Sequence, residues 1–353
     1  MPFAEIVGQD RAIRVVRRAL AAGTVPHAWL FFGPGGVGKF KTALAVAKAL
    51  LCGQAAADDF CGSCADCGRV DNEAHPDVLV LRAESKKAER EGAGAGQETG
   101  EIRIEQVRQF QRWAAVAAFE GGWRVGIFDG AERMNPYAAN ALLKTLEEPP
   151  PKTALILVSP SRGALLPTIA SRCQALHFPP AGRDEVAAAL AGRVEGTREE
   201  LGLLAELAGG SIGKALTLDR DWVFRQRKLW VDRLCSFLEH RRPGLEDFTE
   251  ELVQSGRIVE VLGFYRSWYR DLLVYRVTGD RSRIANLDLA EPIADLAGTF
   301  DPVGCVESIA ALERARQSLE SHMNTQLVLE GLLLDLAALR CGDVGAAILR
   351  DEY

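Results

Sequence analysis

Short apolar runs alternate with helical patterns over roughly the first 180 residues. Four apolar runs, each bounded by turn or polar residues, predict strands at residues 27–32, 78–81, 123–129 and 154–158. The first run leads through a glycine-rich turn into a helical pattern at residues 39–51. Strands separated by helices predict a parallel sheet flanked by helices. The first domain, residues 1–180, is therefore predicted to belong to the α/β class.

The pattern changes after residue 180, where the strand signals end. Residues 184–219 carry short helical patterns, and no internal repeat is visible in the sequence. Longer helices, with apolar residues at three- and four-residue spacing, are predicted at residues 223–240, 258–277, 302–320 and 325–339. The chain is thus predicted to add a small helical domain over 181–222 and a larger all-helical domain over 223–353.

The sequence does not fix the roles of an aromatic stripe, of two basic clusters and of a polar, glycine-rich stretch. Aromatic residues between Phe264 and Tyr275 recur at helical spacing, which is typical of a core and less often of a partner surface. The basic clusters at 225–228 and 241–242 are interpreted as solvated faces, with contact to DNA phosphates as the alternative. The polar, glycine-rich residues 84–100 predict a mobile surface loop.

Composition and charge limit the kind of protein. A length of 353 residues suggests two or three domains, and 48% apolar with 25% charged residues is ordinary for a globular protein. The 48 acidic residues against 42 basic ones argue against a stand-alone binder of duplex DNA. No secretory signal is recognisable, and two acids break the apolar stretch 327–339. We therefore expect a cytoplasmic protein without a membrane span.

Half of the eight cysteines fall in one short segment. Cys52, Cys61, Cys64 and Cys67 include two overlapping C-x-x-C steps, a spacing typical of a metal site. Four thiolates complete a tetrahedral shell around Zn²⁺ and leave no open position, so the predicted metal is structural. Four reduced cysteines without a metal, or an iron–sulfur cluster, are the weaker alternatives.

A phosphate-binding loop is predicted between the first strand and the following helix. Its G-x-x-x-x-G-K pattern is formed by Gly33, Pro34, Gly35, Gly36, Val37, Gly38 and Lys39. Glycines let backbone N–H groups converge on phosphate oxygens, the helix N-terminus adds a favourable dipole, and the lysine adds a point charge. Asp129 ends the third predicted strand, where a phosphate-loop ATPase keeps its metal-associated acid. These residues predict a nucleotide site.

Two residues that hydrolysis requires are absent from this site. Phe40 stands where a serine or threonine hydroxyl binds Mg²⁺, and Thr42 is turned about 200° away along the helix. Gly130 stands where hydrolysing members of this architecture carry the glutamate that polarises water, and Glu132 is expected to point elsewhere. The sequence therefore predicts a loop that holds ATP or ADP without turnover.

Together these segments resemble the AAA+ clamp-loader subunits of bacterial DNA polymerase III. The resemblance is carried by IVGQ at 6–9, HAWL at 27–30, the phosphate loop, the cysteine cluster, DGAERMNPYAANALLKTLEEPP at 129–150, LLPTIASRC at 165–173, GGSIGKAL at 209–216 and the stretch 322–339. It spans nearly the whole chain and is strongest between Gly33 and Cys173. The family implies an AAA+ nucleotide-binding-like domain with a zinc module, a helical lid domain and a C-terminal helical collar domain for oligomerisation.

The resemblance also implies roles for further residues. Arg172 of the Ser-Arg-Cys motif corresponds to an arginine finger that reaches the γ-phosphate of ATP on a neighbouring subunit. Ser159 falls near the sensor-1 position. The sensor-2 arginine of the hydrolysing subunits would fall at Gly213, beside Lys214. These correspondences imply a stator subunit that assists hydrolysis by its neighbour and lacks the parts needed for its own.

A stator of this kind has partners, which the resemblance implies as well. The family joins it to the delta subunit and the ATPase gamma/tau subunits in an open ring that loads the sliding clamp on primer-template DNA. The alternative is an active motor subunit of the gamma/tau type or a related AAA+ remodeller, against which Phe40 and Gly130 argue. A free nucleotide-binding enzyme is disfavoured, because the sequence offers no recognisable nucleophile–base arrangement.

Overall fold

The computed structural model describes two compact units. The described residues are 2–55, 58–84, 100–119, 122–239, 244–321 and 323–340. The first unit comprises Met1–Ala189 with Gly210–Lys214, and the second comprises Leu190–Gly209 with Ala215–Tyr353. The predicted loop at 84–100, apart from its two end residues, and the basic pair at 241–242 lie outside the described residues. The division into three domains remains a prediction.

A five-stranded parallel sheet forms the centre of the first unit. Its strands are β1 (Ala28–Phe32), β2 (Val78–Arg82), β3 (Arg124–Asp129), β4 (Thr153–Ser159) and β5 (Gln174–His177), in the order β2-β3-β4-β1-β5. The inner strands are buried almost throughout, as expected of a parallel sheet covered on both faces. Along β1, Trp29 and Phe31 enter one core and Leu30 enters the other. The predicted α/β class is confirmed.

Helices precede and connect the strands in the first part of the chain. In chain order they are α1 (Asp10–Ala21), α2 (Lys39–Leu51), α3 (Ala65–Asp71), α4 (Ile104–Ala114), α5 (Pro136–Glu147), α6 (Pro167–Ala170) and α7 (Arg183–Ala191). The bounds of α2 are those that the sequence predicts. At the start of α5, the Asn135 side chain accepts a hydrogen bond from the Ala138 N–H at 2.9 Å, and Pro136 takes the first helical position.

The described residues after α7 form helices and their connections, as predicted. The helices are α8 (Arg198–Leu207), α9 (Ile212–Thr217), α10 (Arg220–Glu239), α11 (Leu245–Gln254), α12 (Ile258–Thr278), α13 (Ala290–Ala297), α14 (Pro302–Glu320) and α15 (Thr325–Arg340). Helix α12 packs against α10, α13 and α14. Its residues Phe264, Trp268 and Tyr269 are buried, so the aromatic stripe is core. Within the described ranges, no helix is long and apolar enough to cross a membrane.

Some elements differ from the sequence prediction for physical reasons. Strand β5 carries no strand signal because it is a four-residue edge strand with only Leu176 buried. The short helices α11 and α13 were not foreseen either. Arg227 does not lie on a solvated face: it is 2% exposed, and its guanidinium donates to the side-chain oxygens of Asn286 and Asp288. A buried charge requires such partners.

Candidate functional site

The phosphate loop lies at the carboxyl end of β1, and α2 begins at its last residue. Gly33 has a φ of +148°, and a Cβ added there would lie 2.0 Å from the Phe178 carbonyl oxygen. Gly38, just before α2, has a φ of +102°, which favours glycine. Asp129 and Ser159 end the parallel strands β3 and β4, so the structure brings both to the same edge of the sheet as the loop.

Lys39 is buried beside the loop. It is 7% exposed, and its Nζ donates hydrogen bonds to the carbonyl oxygens of Gly33 and Pro34, the latter at 2.6 Å. Burial lowers the pKa of Lys39, while the carboxylates of Glu132 and Asp129 raise it. Glu132 acts on the pKa of Lys39 more strongly than Asp129 does, so its carboxylate lies near this ammonium group. The expectation that Glu132 points away from an attacking water stays a prediction. Bound phosphate would offer the ammonium group a better acceptor than the loop carbonyls.

An aromatic ring and a guanidinium take the place of the metal-binding hydroxyl. Phe40 is half-buried, and Arg82 Cζ lies 4.8 Å from its ring centroid. Arg82 Nε lies 3.3 Å from Asp129 Oδ2, and its terminal nitrogens lie 2.6 and 2.7 Å from the two Glu73 carboxylate oxygens. The Thr42 hydroxyl donates to a backbone carbonyl of the loop at 2.9 Å. Mg²⁺ needs oxygen ligands in near-octahedral geometry, so these residues do not fit that metal.

Sequence reasoning missed Arg82, because its position follows from strand pairing. Strands β2 and β3 are parallel neighbours, and their register sets Arg82 directly beside Asp129. Hydrogen bonds from Arg82 lower the pKa of Glu73, and the same carboxylate raises the pKa of Arg82. No motif in the sequence marks an arginine at the end of β2, and only the order of strands in the sheet reveals it.

The first turn of α9 packs against the phosphate loop. The Gly213 N–H donates to the Gly36 carbonyl at 2.9 Å, and a Cβ on Gly213 would lie 2.9 Å from Gly36 Cα. A larger residue at Gly213, such as the sensor-2 arginine, would therefore have to displace the loop backbone. The Ser159 hydroxyl donates to a backbone carbonyl two residues further on, at 3.0 Å. The sensor roles of Ser159 and Lys214 stay predictions.

Arg172 and the phosphate loop lie at opposite ends of two neighbouring strands. Arg172 precedes β5, whereas the loop follows β1, and the two strands are parallel neighbours. The length of β5 alone is roughly 13 Å, at about 3.3 Å per residue. The Arg172 guanidinium donates to Glu147 Oε1 at 2.6 Å and to the Thr168 carbonyl at 2.9 Å. Its side chain is 37% exposed, so it is accessible at the surface.

The four cysteines between the end of α2 and the first turn of α3 form one cluster. Their sulfur atoms all lie within 4.8 Å of one another, with separations of 3.5 Å for Cys52–Cys61, 3.7 Å for Cys52–Cys64 and 4.0 Å for Cys61–Cys67. A disulfide requires about 2.05 Å, whereas sulfurs held about 2.3 Å from one zinc ion lie roughly 3.8 Å apart in a tetrahedron. The donor set and its spacing therefore fit Zn²⁺.

The thiols of this cluster differ in acidity. Hydrogen bonds from backbone N–H groups of Ser63 and Cys64 lower the pKa of the Cys61 thiol to about 6. Burial raises the pKa of Cys52, and it raises the pKa of Cys67 to about 12. Since zinc binds the thiolate form, a bound metal would displace the protons of the buried thiols. A bound cation would offset the charge of four thiolates packed this closely.

Two family models match the chain. The model described as "DNA polymerase III, delta subunit" matches residues 8–182, and the model described as "DNA polymerase III, delta subunit, C terminal" matches residues 236–338. The delta' subunit of DNA polymerase III from Pseudomonas aeruginosa is 34% identical over 322 residues, which cover 89% of this chain and 92% of that protein. The chain belongs to the delta' family of DNA polymerase III subunits. The Bacillus subtilis delta' subunit is 27% identical over 93% of this chain and 96% of that protein.

Membership of the delta' family confirms the resemblance found in the sequence. The chain is a clamp-loader subunit of DNA polymerase III. The phosphate loop, the cysteine cluster and Arg172 all lie within the first matched range, residues 8–182. The chain is also similar to the tau subunit of Bacillus subtilis, at 26% identity over 352 residues, which cover 90% of this chain and 58% of that protein.

Proposed function

We propose that this delta' family subunit is the stator of the clamp loader, which does not hydrolyse ATP itself and completes the ATP site of a neighbour. Its partners in this proposal are the delta and gamma/tau subunits, and the assembly loads the sliding clamp on primer-template DNA in the cytoplasm. The observation that carries the proposal is the separation of Arg172 from the phosphate loop of its own chain, at opposite ends of the neighbouring strands β1 and β5.

The chain's own nucleotide site supports the absence of turnover. Phe40 offers no oxygen ligand to Mg²⁺, and Arg82 pairs with the Asp129 carboxylate. Gly130 has no side chain that could polarise a water molecule. Phosphoryl transfer depends on a positioned nucleophile and on cations that neutralise the developing charge. We therefore propose that the loop holds ATP or ADP through Lys39 and backbone N–H groups without hydrolysing it.

The surroundings of Arg172 support a role in trans. A finger must touch the γ-phosphate, and Arg172 is separated from its own loop by the length of a strand. Its contact with Glu147 is an exposed ion pair, which a phosphate group can replace because such pairs are weak. The guanidinium is planar and always charged, so it suits the charge that spreads over a transferring phosphoryl group. Fingers of this kind raise related GTPase rates on the order of 10³–10⁵.

The cysteine cluster supports a structural zinc ion in the first unit. Cys52, Cys61, Cys64 and Cys67 would hold it, and a closed shell of four thiolates leaves no position for substrate. Bound zinc would act as a cross-link between the end of α2 and the start of α3. Phe60, inside the cross-linked segment, already packs edge-on against Phe3 with ring centroids 5.5 Å apart.

The trans role is tested by Arg172→Ala in the reconstituted clamp loader. We expect the ring to assemble, because an exposed ion pair contributes little to stability. We expect the rate of phosphate release to fall, because the neighbouring ATP site that Arg172 completes would no longer hydrolyse ATP efficiently. Arg162→Ala, which removes an exposed arginine from the preceding turn, is the matched control. Unchanged turnover in a fully assembled Arg172→Ala loader contradicts the proposal, and light scattering establishes the assembly.

An active motor subunit is the second candidate, and one observation favours it. Glu132 lies close enough to Lys39 to raise the pKa of the lysine, and Glu132 Oε2 is buried without a hydrogen-bond partner among the described residues. A carboxylate beside the phosphates is what a water-polarising base requires. Phe40 and Arg82 weigh against this candidate, because hydrolysis also requires the metal. Turnover by the isolated chain distinguishes the two.

A further inference from the structure

Arg82 bridges the two positions between which a phosphate-loop ATPase holds its divalent cation. Phe40 stands at the position of the metal-binding hydroxyl, and Asp129 stands at the position of the metal-associated acid. The Arg82 guanidinium contacts both, with Cζ 4.8 Å from the Phe40 ring centroid and Nε 3.3 Å from Asp129 Oδ2. A cation that belongs to the protein therefore contacts both residues that stand at the metal-binding positions of a phosphate-loop ATPase.

Three contacts hold the guanidinium in this position. Glu73 binds both terminal nitrogens, at 2.6 and 2.7 Å, and a bidentate pair fixes the plane of the guanidinium. Phe40 supports one face of it, and the register of β2 on β3 places Arg82 beside Asp129. Glu73 has a φ of +53°, which non-glycine residues rarely adopt. The backbone at Glu73 is thus held in an uncommon conformation at the residue that anchors Arg82.

The same contacts exclude a divalent metal from the site. Mg²⁺ is bound by carboxylate, hydroxyl and water oxygens in near-octahedral geometry. Here the Asp129 carboxylate is paired with a guanidinium, and Phe40 supplies a hydrocarbon ring. A dication entering beside Arg82 would meet a like charge, because the guanidinium of arginine stays protonated in proteins.

We propose that Arg82 replaces Mg²⁺ as a built-in cation, so that the phosphate loop binds a nucleoside polyphosphate without a divalent metal. A guanidinium has five N–H donors. Three of them are used by Glu73 and Asp129, and the others have no acceptor in the part of the chain that the structure describes. The Arg82 side chain is 46% exposed, so a phosphate group can reach it. Lys39 supplies the second positive charge.

This inference rests on the nucleotide loop of the proposed function and is independent of Arg172. Its test measures the affinity of the full chain for mant-ADP by fluorescence, once in EDTA and once in excess Mg²⁺. We expect the two dissociation constants to agree within about twofold, because the cation that the phosphates need is already present. This comparison uses the unmodified protein, so it decides the question even if a variant fails to fold.

Variants identify the residue responsible. Arg82→Gln keeps much of the side chain and removes the charge, and we expect it to weaken binding in EDTA by about 10- to 100-fold through the loss of charge-assisted hydrogen bonds. The affinity of this variant for mant-ADP should then rise when Mg²⁺ is added. The double variant Phe40→Thr with Arg82→Gln should gain more affinity from Mg²⁺ than Arg82→Gln alone. Arg108→Ala, which removes an exposed arginine from α4, is the matched control and should bind like the unmodified chain.

Three results would overturn the inference. The first is binding by the unmodified chain that tightens by more than about tenfold in Mg²⁺. The second is no binding of mant-ADP in either buffer, and the third is Arg82→Gln binding as the unmodified chain does in EDTA. Failure of the stator proposal would be seen in a different experiment. The Arg172→Ala loader would then hydrolyse ATP at an unchanged rate, and the affinities for mant-ADP would not be affected.

Discussion

Glu147→Gln tests whether the carboxylate beside Arg172 restrains this residue in its proposed role as an arginine finger. The substitution keeps the size of the side chain and removes its charge. The nearest atoms of the two side chains are 2.6 Å apart, and the side chains are 37% and 52% exposed. An ion pair this exposed contributes roughly 0.2–1 kcal/mol. Arg172 keeps its hydrogen bond to the Thr168 carbonyl, so the turn should remain ordered.

This magnitude sets the expected effect on ATP hydrolysis. A contact of about 0.2–1 kcal/mol favours the paired form of Arg172 by roughly 1.4- to fivefold. In the proposed assembly, Glu147 and the γ-phosphate on the neighbouring subunit would compete for the same N–H donors. We therefore expect Glu147→Gln to raise the turnover of the reconstituted loader by no more than about fivefold. The stability of the isolated chain should change by less than about 1 kcal/mol.

The assay is a double-mutant cycle read out by phosphate release. Glu147→Gln, Arg172→Ala and the double variant are compared in the assembled loader, with Glu148→Gln as the control at an adjacent exposed acid. The increase should vanish when Arg172 is absent, because the two residues act through one contact. A decrease as large as that of Arg172→Ala, or an increase that persists in the double variant, would refute the reasoning.

The remaining predictions concern the phosphate loop and the cysteine cluster. Gly33→Ala should lower the free energy of unfolding in urea titrations by about 1–3 kcal/mol or more, because the added Cβ would lie 2.0 Å from a carbonyl oxygen. Gly35→Ala should be nearly neutral, because a Cβ at Gly35 would have no heavy atom within 4 Å. Zinc binding at pH 7 should release protons, among them those of Cys52 and Cys67, whose pKa values burial raises. Calorimetry in buffers of different ionisation enthalpy counts them. Below pH about 6, the pKa of Cys61, a further proton must be displaced and binding should weaken more steeply.

Each of these predictions has an outcome that contradicts it. Equal urea midpoints for Gly33→Ala and Gly35→Ala would mean that the loop does not need the close approach at Gly33. A binding enthalpy that is the same in every buffer would mean that the buried thiols lose no protons to zinc. A chain that folds fully in a strong chelator, with no loss of thermal stability, would exclude a structural role for the metal.

The sequence predicted the buried elements of the α/β unit because burial leaves a pattern. Strands β1, β3 and β4 lie inside the sheet, and their apolar runs mark their bounds to within a residue or two. Helix α2 follows a glycine-rich turn and could be bounded at both ends. Strand β5, at the edge with one buried residue, has no alternation that could reveal it.

The candidate site was predictable only where its residues are close in sequence. The phosphate loop and the four cysteines are local motifs, so spacing alone reveals them. Arg82 reaches Phe40 and Asp129 through the pairing of β2 with β3, and Glu147 reaches Arg172 across 25 positions of the chain. Such contacts depend on which strands are neighbours and on how separate elements pack, for which a single sequence contains no local signal.

The account is tested most directly by measuring ATP hydrolysis in Mg²⁺ by the purified chain, alone and then mixed with a gamma/tau subunit. It predicts no turnover by the isolated chain, together with hydrolysis in the mixture that falls when Arg172 is replaced by alanine. Turnover by the isolated chain would contradict the argument from Phe40, Arg82 and Gly130, and the protein would then be a motor rather than a stator.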